Sequence, residues 1–239
     1  MIRLLSLPAV ALFIALFPFV LVAQPAADAA DAVSATLDQR TLDKRTAPIL
    51  KDLKLGDSAL ETRVRAVLAP HFQALTAWHA ANDAALKSLW TAWAEARSTG
   101  NKDEAAAAKV GEKIDAVYAT FRPQHDAFLT ALATQLSPAQ VIAVKDSLTK
   151  SPGLQRTYDA YLEMVPRFTD ADKAFIREKL TVAREQAMDA LTNKEKAELF
   201  KRQKIQVQTY MNEHGYDYEK SYVAWIEKNK ATTAKPAAK

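Results

Sequence analysis

The chain has 239 residues, 49% apolar and 25% charged, with a formal net charge of +4 and no cysteine. Such a balance belongs to a globule large enough to bury a core without staples, and the missing thiols exclude disulfides, thiolate metal sites and an N-terminal lipidated cysteine. Arg3 and the late lysines Lys228, Lys230, Lys235 and Lys239 carry the whole positive excess, so no basic stripe remains for nucleic acid.

Arg3 precedes an uncharged apolar run from Leu4 to Ala23, and Gln24-Pro25-Ala26-Ala27 follows, with Leu21-Val22-Ala23 as a small-residue exit. This order predicts a secretory signal over 1–23, hence an exported protein, periplasmic or secreted. A run of about twenty apolar residues would also serve as an uncleaved anchor, the one membrane contact expected. Residues 24–47 are rich in Ala and Asp without a sustained apolar face and read as a linker. The folded domain is expected over 48–229, with a disordered tail at 230–239.

The first helix is expected after Gly56, capped by Asp57 or Ser58. Leu60, Val64, Val67, Leu68, Phe72, Leu75, Trp78, Leu86, Leu89 and Trp93 keep its 3.6-residue rhythm, and Pro70 should kink it. A second helix, 103–135, carries Val110, Ile114, Val117, Phe121, Phe128 and Leu132 on one face, with a bend at Pro123. The short connection predicts an antiparallel hairpin. Leu136-Ser137-Pro138-Ala139-Gln140, Phe168-Thr169-Asp170-Ala171-Asp172 and Leu191-Thr192-Asn193-Lys194-Glu195 repeat one form: an apolar residue, a hydroxyl cap, and an acceptor three positions later. They open helices at 138–149, 170–190 and 193–213; two more are expected at 154–165 and 217–229. The expected fold is all-α, a bundle of six or seven helices whose long kinked hairpin, 58–135, packs on the shorter helices of 138–229.

Chemistry is sparse. His79 and Asp83 are four apart and share a helical face, and His125 adjoins Asp126, but no HExxH or paired ExxH pattern is present. These histidines read as surface or packing residues, and no metal or cofactor is expected. Nucleophile elbows and glycine-rich phosphate loops are missing. Tyr210, Tyr216, Tyr218, Tyr222 and Trp225 crowd one stretch beside Glu213, His214 and Asp217. At i, i+4, i+7, the set Tyr218, Tyr222 and Trp225 reads first as a core stripe; the second reading is a sugar contact, rings on C–H faces and polar groups on hydroxyls.

Val144-Lys145-Asp146, Thr157-Tyr158, Met164-Val165-Pro166 and Ala183-Arg184-Glu185-Gln186-Ala187-Met188-Asp189, followed by Lys194-Glu195-Lys196, Phe200, Tyr210 and Gly215-Tyr216-Asp217, resemble an uncharacterised family of exported helical bacterial proteins labelled as sugar-binding. Members often have glycine where Ser147 and Ile205 stand here. The resemblance implies carbohydrate or glycan as partner and a ligand site among Lys145, Asp146, Tyr158, Arg184, Asp189, Tyr216 and Asp217; it implies no activity. Leu136-Ser137-Pro138-Ala139-Gln140 is also similar to the motif of LTxxQ-type periplasmic helical chaperones. The expected function is therefore a non-catalytic carbohydrate-binding protein, with an envelope chaperone or stress protein second and an enzyme acting on glycans third.

Overall fold

Asp38, Asp57, Asp103, Thr169 and Thr192 each accept backbone amide hydrogens with their side chains at a helix start, relieving donors that have no partner inside the helix. The computed structural model describes residues 37–98, 103–149 and 153–233. The expected signal at 1–23, the first part of the linker, and the chain beyond Thr233 lie outside the described residues. Nine helices are present among those described: α1 (Gln39–Leu53), α2 (Ser58–Ala96), α3 (Glu104–Ala119), α4 (Arg122–Ala133), α5 (Pro138–Thr149), α6 (Gly153–Met164), α7 (Asp170–Met188), α8 (Asn193–Glu213) and α9 (Tyr218–Thr233). No strand occurs among the described residues. The fold is all-α, as expected, and none of the described helices is long and apolar enough to cross a membrane.

Two of the nine helices go beyond the sequence reading. The first is α1, which occupies 39–47 where a linker is expected and moves the start of folded structure ahead of residue 48. Its buried positions are Leu42, Thr46, Ile49, Leu50 and Leu53, a complete helical stripe in which one member is a threonine. The Thr46 hydroxyl accepts from Arg65 of α2 at 2.8 Å, so a polar residue fills an apolar-face position. Nearby, the Gln73 side chain bonds both the amide and the carbonyl of Leu37, at 2.8 and 2.9 Å. The second arises at Pro123, which divides the expected 103–135 helix into α3 and α4 instead of bending it. Proline stands in the first turn of α4, the position where its missing amide costs nothing. Pro70, by contrast, lies inside a single 39-residue α2. At the far end, α9 runs to Thr233, past the expected 229.

The α2–α3 hairpin forms, and α7 lies against α5, α6 and α8. Three apolar clusters result. One joins α1, early α2, α4 and α5; a second joins α6, α7 and α8 around Ile176, Leu180, Val207 and Met211; a third joins late α2, α3 and early α8 around Trp93, Ile114 and Leu199. Met188 and Ala187 at the end of α7 belong to the first and third, so the C-terminal end of α7 is where the layers meet.

Candidate functional site

Asp189 follows the last turn of α7 as its C-cap and is 5% exposed. His125 of α4 is sealed from solvent, with Nδ1 2.9 and 3.0 Å from the two Asp189 carboxylate oxygens. Its Nε2 lies 3.2 Å from Glu185 Oε2. The same Glu185 oxygen accepts from Lys145 Nζ of α5 at 2.7 Å. Arg184 reaches Glu185 Oε1 through Nε and Nη2, both at 3.3 Å, and Asp146 at 3.9 Å. Behind them His79 of α2 places Nε2 2.8 Å from the main-chain oxygen of Asp189 and Nδ1 2.7 Å from Asp83.

The electrostatics follow from these contacts. His125 is held up at about 9, because the Asp189 and Glu185 hydrogen bonds and charges outweigh the burial that pulls it down. Glu185 is held down at about 2 by His125, Lys145 and Arg184, again against burial. Burial pushes Asp189 up and His125 draws it back. Asp146 is also raised by burial, with Arg184 opposing. On the outer side the side chains of Lys145, Arg184 and Glu185 are about one-seventh exposed and that of Asp146 is 35% exposed, while behind the histidines Asp83 also meets water. The cluster thus presents donors and acceptors outward on a sealed base.

Four residues of the expected site, Lys145, Asp146, Arg184 and Asp189, are brought together here. The other three lie elsewhere. Tyr216 is buried, donates its hydroxyl to Asp172 Oδ2 at 2.6 Å, and packs edge-on against Phe168. Asp172 is in the first turn of α7, thirteen residues before Glu185, or about 20 Å along the axis. Tyr158 is buried with Arg177 over its ring at 3.9 Å. Asp217 is exposed and accepts the Lys220 amide at 3.0 Å, capping α9. Glu185, His125 and His79 join the cluster unannounced by the sequence reading. Glu185 stood inside the Ala183–Asp189 motif. His125 has a legible signal, since with Phe121, Phe128 and Leu132 it falls on the core face of its segment.

The aromatic stretch divides. Tyr210 and Tyr216 both donate to Asp172. Tyr218, Tyr222 and Trp225 line α9, their neighbouring rings 5.8 and 6.3 Å apart and nearly parallel. No described residue of α9 is buried, and Tyr222 is 41% exposed. The expected core stripe is therefore a half-exposed row, with Trp225 Nε1 donating to Glu163 at 2.8 Å.

An all-helical domain with a charged cluster at one helix terminus, and no metal-ligating group among its described residues, defines an architecture but no known chemistry. The chain belongs to the family described as Protein of unknown function (DUF3826), whose model matches residues 39–231. That span begins with α1 and takes in both halves of the cluster. The description carries no sugar-binding label, and nothing in the match concerns LTxxQ-type chaperones. No curated protein matches the chain.

Proposed function

We propose that the protein is an exported, non-catalytic binding protein whose ligand is a carbohydrate taken at the solvent edge of Lys145, Asp146, Arg184 and Glu185. The carrying observation is Arg184. Its side chain is only 14% exposed, yet its contacts are 3.3 and 3.9 Å long, well beyond the 2.7–2.9 Å of a charge-assisted bond. A guanidinium with unspent donors beside an acceptor such as Asp146 suits a ligand rich in hydroxyls. The half-exposed rings of α9 offer the same ligand class a stacking surface.

The charges support binding without turnover. General acid–base catalysis works best with a group titrating near the operating pH, whereas Glu185 is held at about 2 and His125 at about 9. Among the described residues the large exposed apolar side chains are Ile142, Val182, Tyr222 and Val223, a small number for a surface that would hold unfolded clients. Export is supported by the apolar run behind Arg3.

Titration calorimetry with a panel of mono- and oligosaccharides tests the reading. At least one sugar should bind, Arg184→Ala should weaken it tenfold or more, and no product should accumulate. A panel without a binder, or binding indifferent to Arg184→Ala and Asp146→Ala, would overturn it.

A further inference from the structure

Both buried histidines of the cluster face acceptors on two sides. A main-chain carbonyl can only accept, so His79 Nε2, 2.8 Å from the oxygen of Asp189, carries a hydrogen. Its Nδ1, 2.7 Å from the carboxylate of Asp83, must carry one too. Asp83 is 63% exposed, and its carboxylate oxygen is placed to accept that hydrogen. His125 stands between the carboxylates of Asp189 and Glu185. A neutral imidazole has a single N–H and would aim a lone pair at one of these acceptors.

We infer that His79 and His125 are positioning residues held as imidazolium cations: His79 fixes Asp189 through its main chain, His125 fixes it through its side chain, and His125 alone, through Glu185, holds Lys145 and Arg184 in place. Each group facing them is accounted for. Asp83 comes from α2 itself and Asp189 and Glu185 come from α7. Lys145 comes from α5, paired to Glu185, and Arg184 from α7, beside Asp146. Arg122 on α4 pairs with Asp126 at 3.2 Å and adds its field at Asp189. Tyr118 of α3 donates to Glu195 of α8, near Asp83 and Asp189. His71 of α2 stacks on Phe128 at 3.8 Å and is pushed down to about 3 by burial and by His125, so it is neutral and supplies no competing charge.

The functional consequence rests on the proposed ligand edge, but the protonation does not. Full-length protein carrying ¹⁵N-histidine should show, at pH 7, imidazolium nitrogen shifts at His79 and His125 and a neutral ring at His71. The carboxyl carbon of Glu185 should titrate near 2 and weaken in acidity at least tenfold in His125→Gln, a response that mere loss of packing would not give. A neutral ring at His79 or His125, or an unmoved Glu185, would overturn the inference. Wild-type spectra alone decide the protonation if the variant fails to fold. Imidazolium signals without any bound sugar would sink only the carbohydrate reading, and neutral rings with a bound sugar only this one.

Discussion

Helix α7 holds a buried carboxylate at each end, and the two are solvated by opposite means. Asp172 and Asp189 are 4% and 5% exposed, so burial does not distinguish them. Asp172 sits in the first turn, where the helix dipole favours negative charge. It takes the Thr169 amide and hydroxyl at 2.8 and 2.7 Å and the hydroxyls of Tyr210 and Tyr216 at 2.7 and 2.6 Å. Four neutral donors hold its pKa well below the ordinary carboxylate range, against the burial that would raise it. Asp189 stands at the other end, where the dipole opposes it, and is answered by a charged imidazole. Neutral hydroxyls serve where the backbone helps; cations are needed where it does not. The first solution closes a helix start, while the second gathers charged side chains at one place with some left facing water.

The largest effect should come from removing the cation. In His125→Ala, Asp189 would remain buried without its charged partner, and breaking a buried pair costs about 3–5 kcal/mol. Denaturant unfolding should show that loss; less than about 1 kcal/mol, the range of a surface pair, would mean that Asp189 does not depend on a buried cation. The pH profile separates them further. His125 is raised above its unfolded value of 6.5 to about 9, so its stabilisation is complete below 6.5 and is lost as pH rises towards 9. Glu185 is lowered from 4.5 to about 2, so its contribution is present above 4.5 and is lost as pH falls towards 2. The upward displacement of Asp189 works in the opposite sense and softens that acid limb. Thermal unfolding between pH 6.5 and 9 should therefore show a decline that His125→Gln removes.

A smaller loss should follow at the hydroxyl end. Asp172→Asn keeps one acceptor oxygen but turns an amide towards donors, and an unsatisfied buried donor costs about 1–3 kcal/mol. Because Asp172 is lowered below its ordinary value of 3.8, its stabilisation is present above that value and disappears as pH falls below it. Tyr210 and Tyr216 are both raised above 10 by Asp172, so this end adds no alkaline limb between 6.5 and 9. Unfolding profiles of Asp172→Asn should thus change on the acid side alone. A variant that instead altered the alkaline side would show that the ends communicate.

The two ends were also unequally visible in the sequence. Thr169 and Asp172 lie three apart, and a capping box is a local device, so the start of α7 is legible from five residues. The same form at Ser137 and Gln140 closes as expected. At Thr192 it is half-closed, because Glu195 instead accepts the Leu191 amide and the Tyr118 hydroxyl. The tyrosines that complete Asp172 are 38 and 44 residues away, beyond any local pattern. At the other end the local contacts are His79–Asp83, Arg122–Asp126 and Arg184–Glu185, and their spacing was visible without its purpose. His125 meets Glu185 and Asp189 across 60 and 64 residues, and only tertiary packing creates that pairing. Helix α1 was hidden for a different reason. Thr46 interrupts its apolar stripe, and what makes it fit is Arg65 on another helix.

An ion pair buried on one side only gives the finest discrimination. Arg202 of α8 reaches both oxygens of Asp115 at 2.9 and 2.7 Å and the carbonyl of Gly111 at 3.1 Å, while Gln186 of α7 donates to Asp115 at 2.6 Å. Unlike Asp189, the Asp115 side chain is 41% exposed, so water shares its charge. A Cβ added at Gly111 would come within 3.2 Å of Arg202 Nη2, a tip fixed by three hydrogen bonds. Alanine in a helix interior gains roughly 0.5–1 kcal/mol over glycine, which the displaced guanidinium should offset. Gly111→Ala should accordingly change stability by less than about 1 kcal/mol. A far larger loss in denaturant unfolding would put this pair in the same class as His125–Asp189, and would show that water reaching Asp115 does not soften the loss of its partner.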